Sequence, residues 1–102
     1  TPRWSPDGRS LAFTRWNFMT GPNDVFVVNT DGTGLRNLTQ QGLSWVLDWS
    51  PDGSQILLQQ DQSGVLKVGT IPAAGGAFEP LLNAHVRDAD YSPEGTQIAG
   101  IQ

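Results

Sequence analysis

Apolar residues recur at every second position in short runs along this chain. The clearest are 10–14 (Ser-Leu-Ala-Phe-Thr), 55–59 (Gln-Ile-Leu-Leu-Gln) and 97–101 (Gln-Ile-Ala-Gly-Ile). Alternation of period two puts one side of each run on a core and predicts strands rather than helices. Residues 24–29 (Asp-Val-Phe-Val-Val-Asn) and 64–69 (Gly-Val-Leu-Lys-Val-Gly) are rich in β-branched side chains, are bounded by turn formers and read as further strands. Each leads into a turn, Asp31-Gly32-Thr33-Gly34 or Ala73-Ala74-Gly75-Gly76, and then into a short fourth strand at 35–39 or 78–82. Residues 44–49 and 86–91 again alternate, through Trp45, Leu47 and Trp49 in the first case, and predict the opening strands of the next units.

These strands are arranged by a repeat. Trp4-Ser5-Pro6-Asp7-Gly8 recurs identically as Trp49-Ser50-Pro51-Asp52-Gly53, and with two conservative changes as Tyr91-Ser92-Pro93-Glu94-Gly95. The spacings are 45 and 42 residues. In each copy Pro presets the first corner of a type I turn, Asp tolerates the second, and Gly accepts the positive φ that returns the chain to its hairpin. The Ser hydroxyl is placed to bond the turn backbone, and the aromatic residue before the turn is expected to wedge between neighbouring sheets. Four antiparallel strands every 42 or 45 residues match a propeller blade of ~40 to 45 residues. The expected fold class is therefore all-β: β-propeller blades of four antiparallel strands. Repeat 1 covers about 2–43, repeat 2 about 44–85, and the start of repeat 3 about 86–102. That is about two and a third repeats of a larger ring, expected to be six-bladed, since closed propellers have ~4 to 8 blades. A blade cannot bury both faces alone, so something must cover the outer ones. Other blades of a longer polypeptide come first, then a ring-forming homo-oligomer or a docked protein partner.

Composition narrows the partners. The formal net charge is −4 with a pI near 4.5, so the overall field repels phosphate backbones and nucleic acid is excluded as a partner. The longest apolar run is 25–28, far below the ~20 residues of a spanning helix, so direct membrane insertion is not expected. No signal peptide is visible. There is no Cys, which removes disulfides, thiolate nucleophiles and Cys-based metal sites.

The motif with its alternating strand, followed by Val-Phe-Val-Val-Asn-Thr-Asp-Gly-Thr-Gly-Leu-Arg-Asn-Leu-Thr, resembles the TolB-type propeller repeat, a WD-like repeat of bacterial periplasmic proteins. Residues 2–39 match best. Residues 47–82 depart from the pattern, with Ala73-Ala74-Gly75-Gly76 in place of Asp-Gly-Thr-Gly and Leu81-Leu82 in place of Leu-Thr, and residues 89–102 hold only the start of a third copy. The resemblance implies a periplasmic or otherwise extracytoplasmic location. For function it implies a non-enzymatic interaction or scaffold module, with the propeller segment of a prolyl-oligopeptidase-like peptidase, gating a catalytic domain elsewhere, as the alternative. The family uses this blade in scaffolds, in the partner of a peptidoglycan-associated lipoprotein and in such gating propellers, and fold alone does not choose among them.

Candidate chemistry is sparse. The single histidine, His85, falls in the link between units, with Asp88 and Asp90 near in sequence and Ser44 at a comparable link, but no Gly-x-Ser-x-Gly elbow accompanies it. A loop histidine of this kind is a polar surface residue, and no catalytic residue is assigned. Residues 29–32 are the closest approach to a calcium loop, yet the twelfth position is Gln40 instead of Glu, so no metal or cofactor is called for. Inner-strand positions offer no polar cluster for a small ligand. The connection 15–23 is 5 residues longer than its counterpart and carries Trp, Phe and Met together. A four-stranded meander brings it to the same ring face as the inter-unit links. That face gathers Arg15, Trp16, Phe18, Met19, Trp45, His85 and Arg87, residue types enriched at interface cores, as candidate partner-binding residues. The plainer account is that Trp16 and Phe18 extend the hairpin and pack on the blade.

Overall fold

The computed structural model describes residues 2–17, 21–39, 43–84, 88–93 and 97–101, with the backbone alone at 16–17, 21–22, 88–90 and 99–101. Its elements are β1 (Arg3–Trp4), β2 (Ser10–Asn17), β3 (Gly21–Asn29), β4 (Arg36–Asn37), β5 (Ser44–Trp49), β6 (Gln55–Gln62), β7 (Val65–Pro72), β8 (Glu79–Asn83), β9 (Asp88–Tyr91) and β10 (Ile98–Ile101). The strands pair in chain order into antiparallel meanders: β1-β2-β3-β4, β5-β6-β7-β8 and the pair β9-β10. β5 packs against β1, β2 and β3, and β9 packs in turn against β5, so the sheets stack side by side. This is the all-β, four-stranded blade architecture that the repeat implies.

Stacking explains the burial pattern. We call the face of each blade that looks back along the chain its front. Trp49, Ile56, Leu58 and Ile71 on the front of the second blade interlock with Ala12, Val25, Val27 and Leu38 on the back of the first, one continuous core. Leu47, Leu57 and Val68 on the back of the second blade form a separate cluster under Ala84 and Tyr91. Successive residues of a strand point to opposite faces, so a strand covered on both sides is apolar throughout. That is why Ile56, Leu57 and Leu58 are consecutive and all fully buried. Burying each contributes roughly 1.5–3 kcal/mol against leaving it in water.

The register shifts between Arg15 and Asn17, between Val46 and Asp48, and between Val68 and Gly69, and the shift in β5 redirects a core residue. Val46 pairs with Leu58 but Asp48 pairs with Leu57, so the register shifts within β5. This bulge turns Leu47 onto the back face, while Trp49 stays on the front. The even spacing of Trp45, Leu47 and Trp49 therefore does not place them on one face. The connection 15–23 also differs from a loop: β2 continues through Asn17 and β3 starts at Gly21, with Arg15 opposite Asp24 and Asn17 opposite Gly21. Only 18–20 separate the two strands.

Candidate functional site: the repeated turns, the latch and the open face

The repeated pentapeptide builds the same hydrogen-bonded turn twice. Gly8 N–H donates to the Ser5 carbonyl at 2.9 Å, closing a Ser-Pro-Asp-Gly turn, and Gly8 sits at φ 71°. Ser5 Oγ donates to Asp7 Oδ1 at 2.6 Å and accepts from Ser10 N–H at 3.0 Å, while Arg9 N–H also donates to Asp7 Oδ1. The second copy repeats each bond through Ser50, Asp52, Gly53, Ser54 and Gln55, and adds a bond from Ser54 Oγ to Asp52 Oδ1 at 2.7 Å. In the third copy Ser92 keeps its two bonds with Gln97, while Glu94 and Gly95 lie outside the described residues. Sequence reasoning assigned Asp a corner; the structure adds that its carboxylate gathers the donors of the turn.

Those donors favour the ionised form. The Ser5 hydroxyl, then the Arg9 N–H, hold Asp7 below the usual carboxylate range. Ser50, then the N–H and hydroxyl of Ser54, bring Asp52 down to about 2. Asp31 is lowered in the same way by the hydroxyl and N–H of Thr33, in an Asp-Gly turn of ordinary design. Burial, followed by repulsion from Asp48 and Asp52, raises the Tyr91 phenol.

A groove of about 620 Å³ is lined by Pro6 and Asp7 of the first turn, Pro51 and Asp52 of the second, and Arg36 and Ala73. Arg36 spans the blades: its Nε and Nη2 donate to the Ala73 carbonyl at 3.3 and 3.2 Å, and Nη1 donates to the Gly34 carbonyl at 2.9 Å. Two further bonds cross the same interface. Trp49 Nε1 donates to the Arg3 carbonyl at 2.8 Å, and Val46 N–H donates to Thr14 Oγ1 at 3.0 Å. At the next interface Tyr91 N–H donates to Asp48 Oδ2 at 2.9 Å.

A buried polar latch closes the outer edge of the first blade. Asp24, fully buried on β3, accepts from Thr39 Oγ1 at 2.7 Å and Asn37 Nδ2 at 2.9 Å, and Thr39 Oγ1 also accepts from Val25 N–H. By strand pairing Lys67 and Pro80 stand where Asp24 and Asn37 do, and Asn83, opposite Lys67, stands where Thr39 does; with Lys67 in place of the carboxylate the same latch cannot form. There β8 is exposed along its whole length. Neither Arg36 nor this latch was singled out from sequence. The available signal was the failure of both to repeat, since Glu79 takes the place of Arg36 and Lys67 that of Asp24.

Of the candidate partner-binding residues, Arg15 is exposed at the far end of β2, its guanidinium 4.4 Å from the centre of the Phe26 ring. Trp45 is half-buried on β5 opposite Gln59. Trp16 lies in β2 by its backbone, and Phe18, Met19, His85 and Arg87 lie outside the described residues. The wedge role holds for Trp49 and Tyr91. Trp4 is 65% exposed, with no sheet against the front of the first blade among the described residues.

No family model matches the chain. It is 50% identical over 38 residues to the Tol-Pal system protein TolB of Syntrophus aciditrophicus, covering 37% of this chain and 8% of that protein. It is 44% identical over 59 residues to the uncharacterized peptidase YuxL of Bacillus subtilis, covering 56% of this chain and 9% of that one. Over 94 residues, 90% of the chain, it is 33% identical to a protein described as a tricorn protease homolog of Streptomyces coelicolor, of which it covers 7%. The chain thus spans under a tenth of the length of each of these relatives. Among solved structures, a TolB-type protein from Agrobacterium tumefaciens superposes with a TM-score of 0.80 at 22% identity over 96% of this chain and 36% of its own. TolB from Acinetobacter baumannii gives 0.75 at 21% identity, covering 97% of this chain and 25% of its own. At these identities the structural likeness shows the fold.

Proposed function

We propose that this stretch of TolB-like β-propeller is a non-enzymatic protein–protein interaction or scaffold module of a larger protein, working outside the cytoplasm. The observation that carries this reading is the use of the repeated polar residues. Each Ser and Asp of the pentapeptide forms its hydrogen bonds inside its own turn, so the motif supplies architecture and leaves recognition to the surface. The TolB-type relatives support the extracytoplasmic location and the scaffold role. The partner-binding residues we propose are Arg15, Trp16, Phe18, Met19, Trp45, His85 and Arg87, residue types enriched at interface cores; of these the structure describes the side chains of Arg15 and Trp45.

A second reading is favoured by a specific observation: two of the relatives are named as a peptidase and a protease homolog. In that reading the same blades shape access to a catalytic domain elsewhere in the parent polypeptide. Labelling of the full-length parent with a fluorophosphonate probe for active serine nucleophiles separates the two. No labelling is expected; labelling together with hydrolysis of a peptide substrate would replace the scaffold reading with the peptidase one.

A further inference from the structure

We infer that the chain's three Asp-Gly pairs are sites of spontaneous aspartate isomerisation, and that the hydroxyl donors of their turns hold this chemistry back. The inference is independent of both functional readings. Asp7-Gly8, Asp31-Gly32 and Asp52-Gly53 are the only Asp-Gly pairs in the sequence, and all three aspartates are exposed. Glycine has no Cβ to shield its nitrogen or restrict its backbone, so it is the neighbour on which an aspartyl side chain closes most readily. In that closure the Gly nitrogen attacks Asp Cγ: an N–Cγ bond forms, the nitrogen gives up its proton, and one carboxyl oxygen leaves as water, giving a five-membered succinimide. Water then adds to a ring carbonyl. Addition at the main-chain carbonyl breaks that carbon's bond to nitrogen and leaves the chain running through Cγ, one atom longer, so the turn could no longer close as it does. In the third copy Glu94 takes the place of Asp, and its extra methylene would require a six-membered ring.

Two different turns arrive at the same protection. In the pentapeptide the hydroxyl two residues before Asp donates to Oδ1, at 2.6 Å from Ser5 and 2.7 Å from Ser50. In the turn around Asp31 the hydroxyl comes from two residues after, Thr33 Oγ1 at 2.6 Å. Each Oδ1 also accepts the N–H two residues on, from Arg9 at 3.0 Å, Thr33 at 2.9 Å or Ser54 at 3.0 Å. Each Gly N–H is meanwhile committed to the carbonyl three residues back, on Ser5, Asn29 or Ser50, at 2.9 Å. These bonds restrain both reactants. The nitrogen keeps its proton in a hydrogen bond, and the carboxyl is pinned through one oxygen in its ionised form, which cannot release water. Asp52 has a further donor in the Ser54 hydroxyl at 2.7 Å and titrates at about 2, so at neutral pH its neutral form is roughly 80 times scarcer than for an ordinary carboxyl at ~3.9. Asp52 is therefore the slowest of the three to isomerise, and Asp7 and Asp31, each without that further donor, are faster.

The test is prolonged incubation of the full-length parent in warm, neutral buffer, as wild type, Thr33→Val and Ser50→Ala, with isoaspartate at each position quantified by peptide mass spectrometry with electron-transfer fragmentation. Thr33→Val removes an exposed hydroxyl and keeps the backbone donor. It is expected to speed isomerisation at Asp31 roughly tenfold and to leave Asp7 and Asp52 within about twofold, and Ser50→Ala is expected to act in the same way at Asp52 alone. An unchanged rate at the matching aspartate overturns the inference, as does a wild type in which Asp52 isomerises fastest. So does an equal rise at all three positions, which marks loosening of the whole fold. Ser50 Oγ also accepts from Gln55 N–H at the start of β6, so Thr33→Val decides where the two variants disagree.

Discussion

Trp4 and Trp49 occupy the same place in the same five residues, yet one is 65% and the other 5% exposed. Each precedes a turn with the same bonds at nearly the same distances. The pentapeptide therefore specifies the turn, and the neighbouring sheet decides whether the aromatic residue is core. The outer edges of the two blades give the contrasting case. There the residues differ and so does the burial: the first blade closes its edge with Asp24, Asn37 and Thr39 and buries Leu38, while the second has Lys67 and Pro80 in place of Asp24 and Asn37 and leaves β8 exposed.

The largest expected effect breaks the comparison at its centre. In the 102-residue chain, Trp49→Ala is expected to cost about 3–5 kcal/mol, a large aromatic deleted from a packed interface. Trp4→Ala should cost within ~0.5 kcal/mol, as for a surface position. Urea unfolding of both variants measures this, and equal losses would mean that the two residues are packed alike. Next comes the latch. Asp24→Ala leaves the Thr39 and Asn37 donors without their acceptor, an expected loss of about 1–3 kcal/mol, whereas Lys67→Ala at the matching position should change little. Gly69→Ala follows, at about 1–3 kcal/mol by overpacking, because a Cβ there would collide with the Glu79 carbonyl and press on Phe78. The counterpart of Gly69 in the first blade is Phe26, so Phe26→Ala should instead open a hole.

The smallest effect concerns acid. Asp52 titrates near 2 in the folded chain, below its unfolded value of ~3.9. Its contribution is thus present above that unfolded value and is lost as pH falls through the folded one. Asp52 is fully exposed, so the change in stability is small and the clean readout is its titration by NMR. Ser50→Ala is expected to move that titration up toward 3.8, since the Ser50 hydroxyl is the largest cause of the shift. An unmoved midpoint would remove the hydroxyl from the account.

The sequence disclosed repeating chemistry more readily than unique chemistry. Proline, glycine and alternation are local signals, so the turns at 4–8 and 49–53 and the strands around them were legible before any coordinates. The bulge that turns Leu47 to the other face was not, because it depends on which residue of β6 lies opposite. The latch links Asp24 to Thr39 across two strands, and the Arg36 clamp reaches to Ala73 in another blade; neither partner can be named from local spacing. The candidate partner surface is legible as composition only, since Phe18, Met19, His85 and Arg87 fall outside the described residues.

Exchange of the tryptophan indole protons with solvent, followed by NMR on the 102-residue chain, tests the stacking of the two repeats most directly. The Trp49 proton, bonded to the Arg3 carbonyl inside the interface, should exchange many times more slowly than that of Trp4. Fast exchange at both would contradict the side-by-side packing of the blades on which every other conclusion depends.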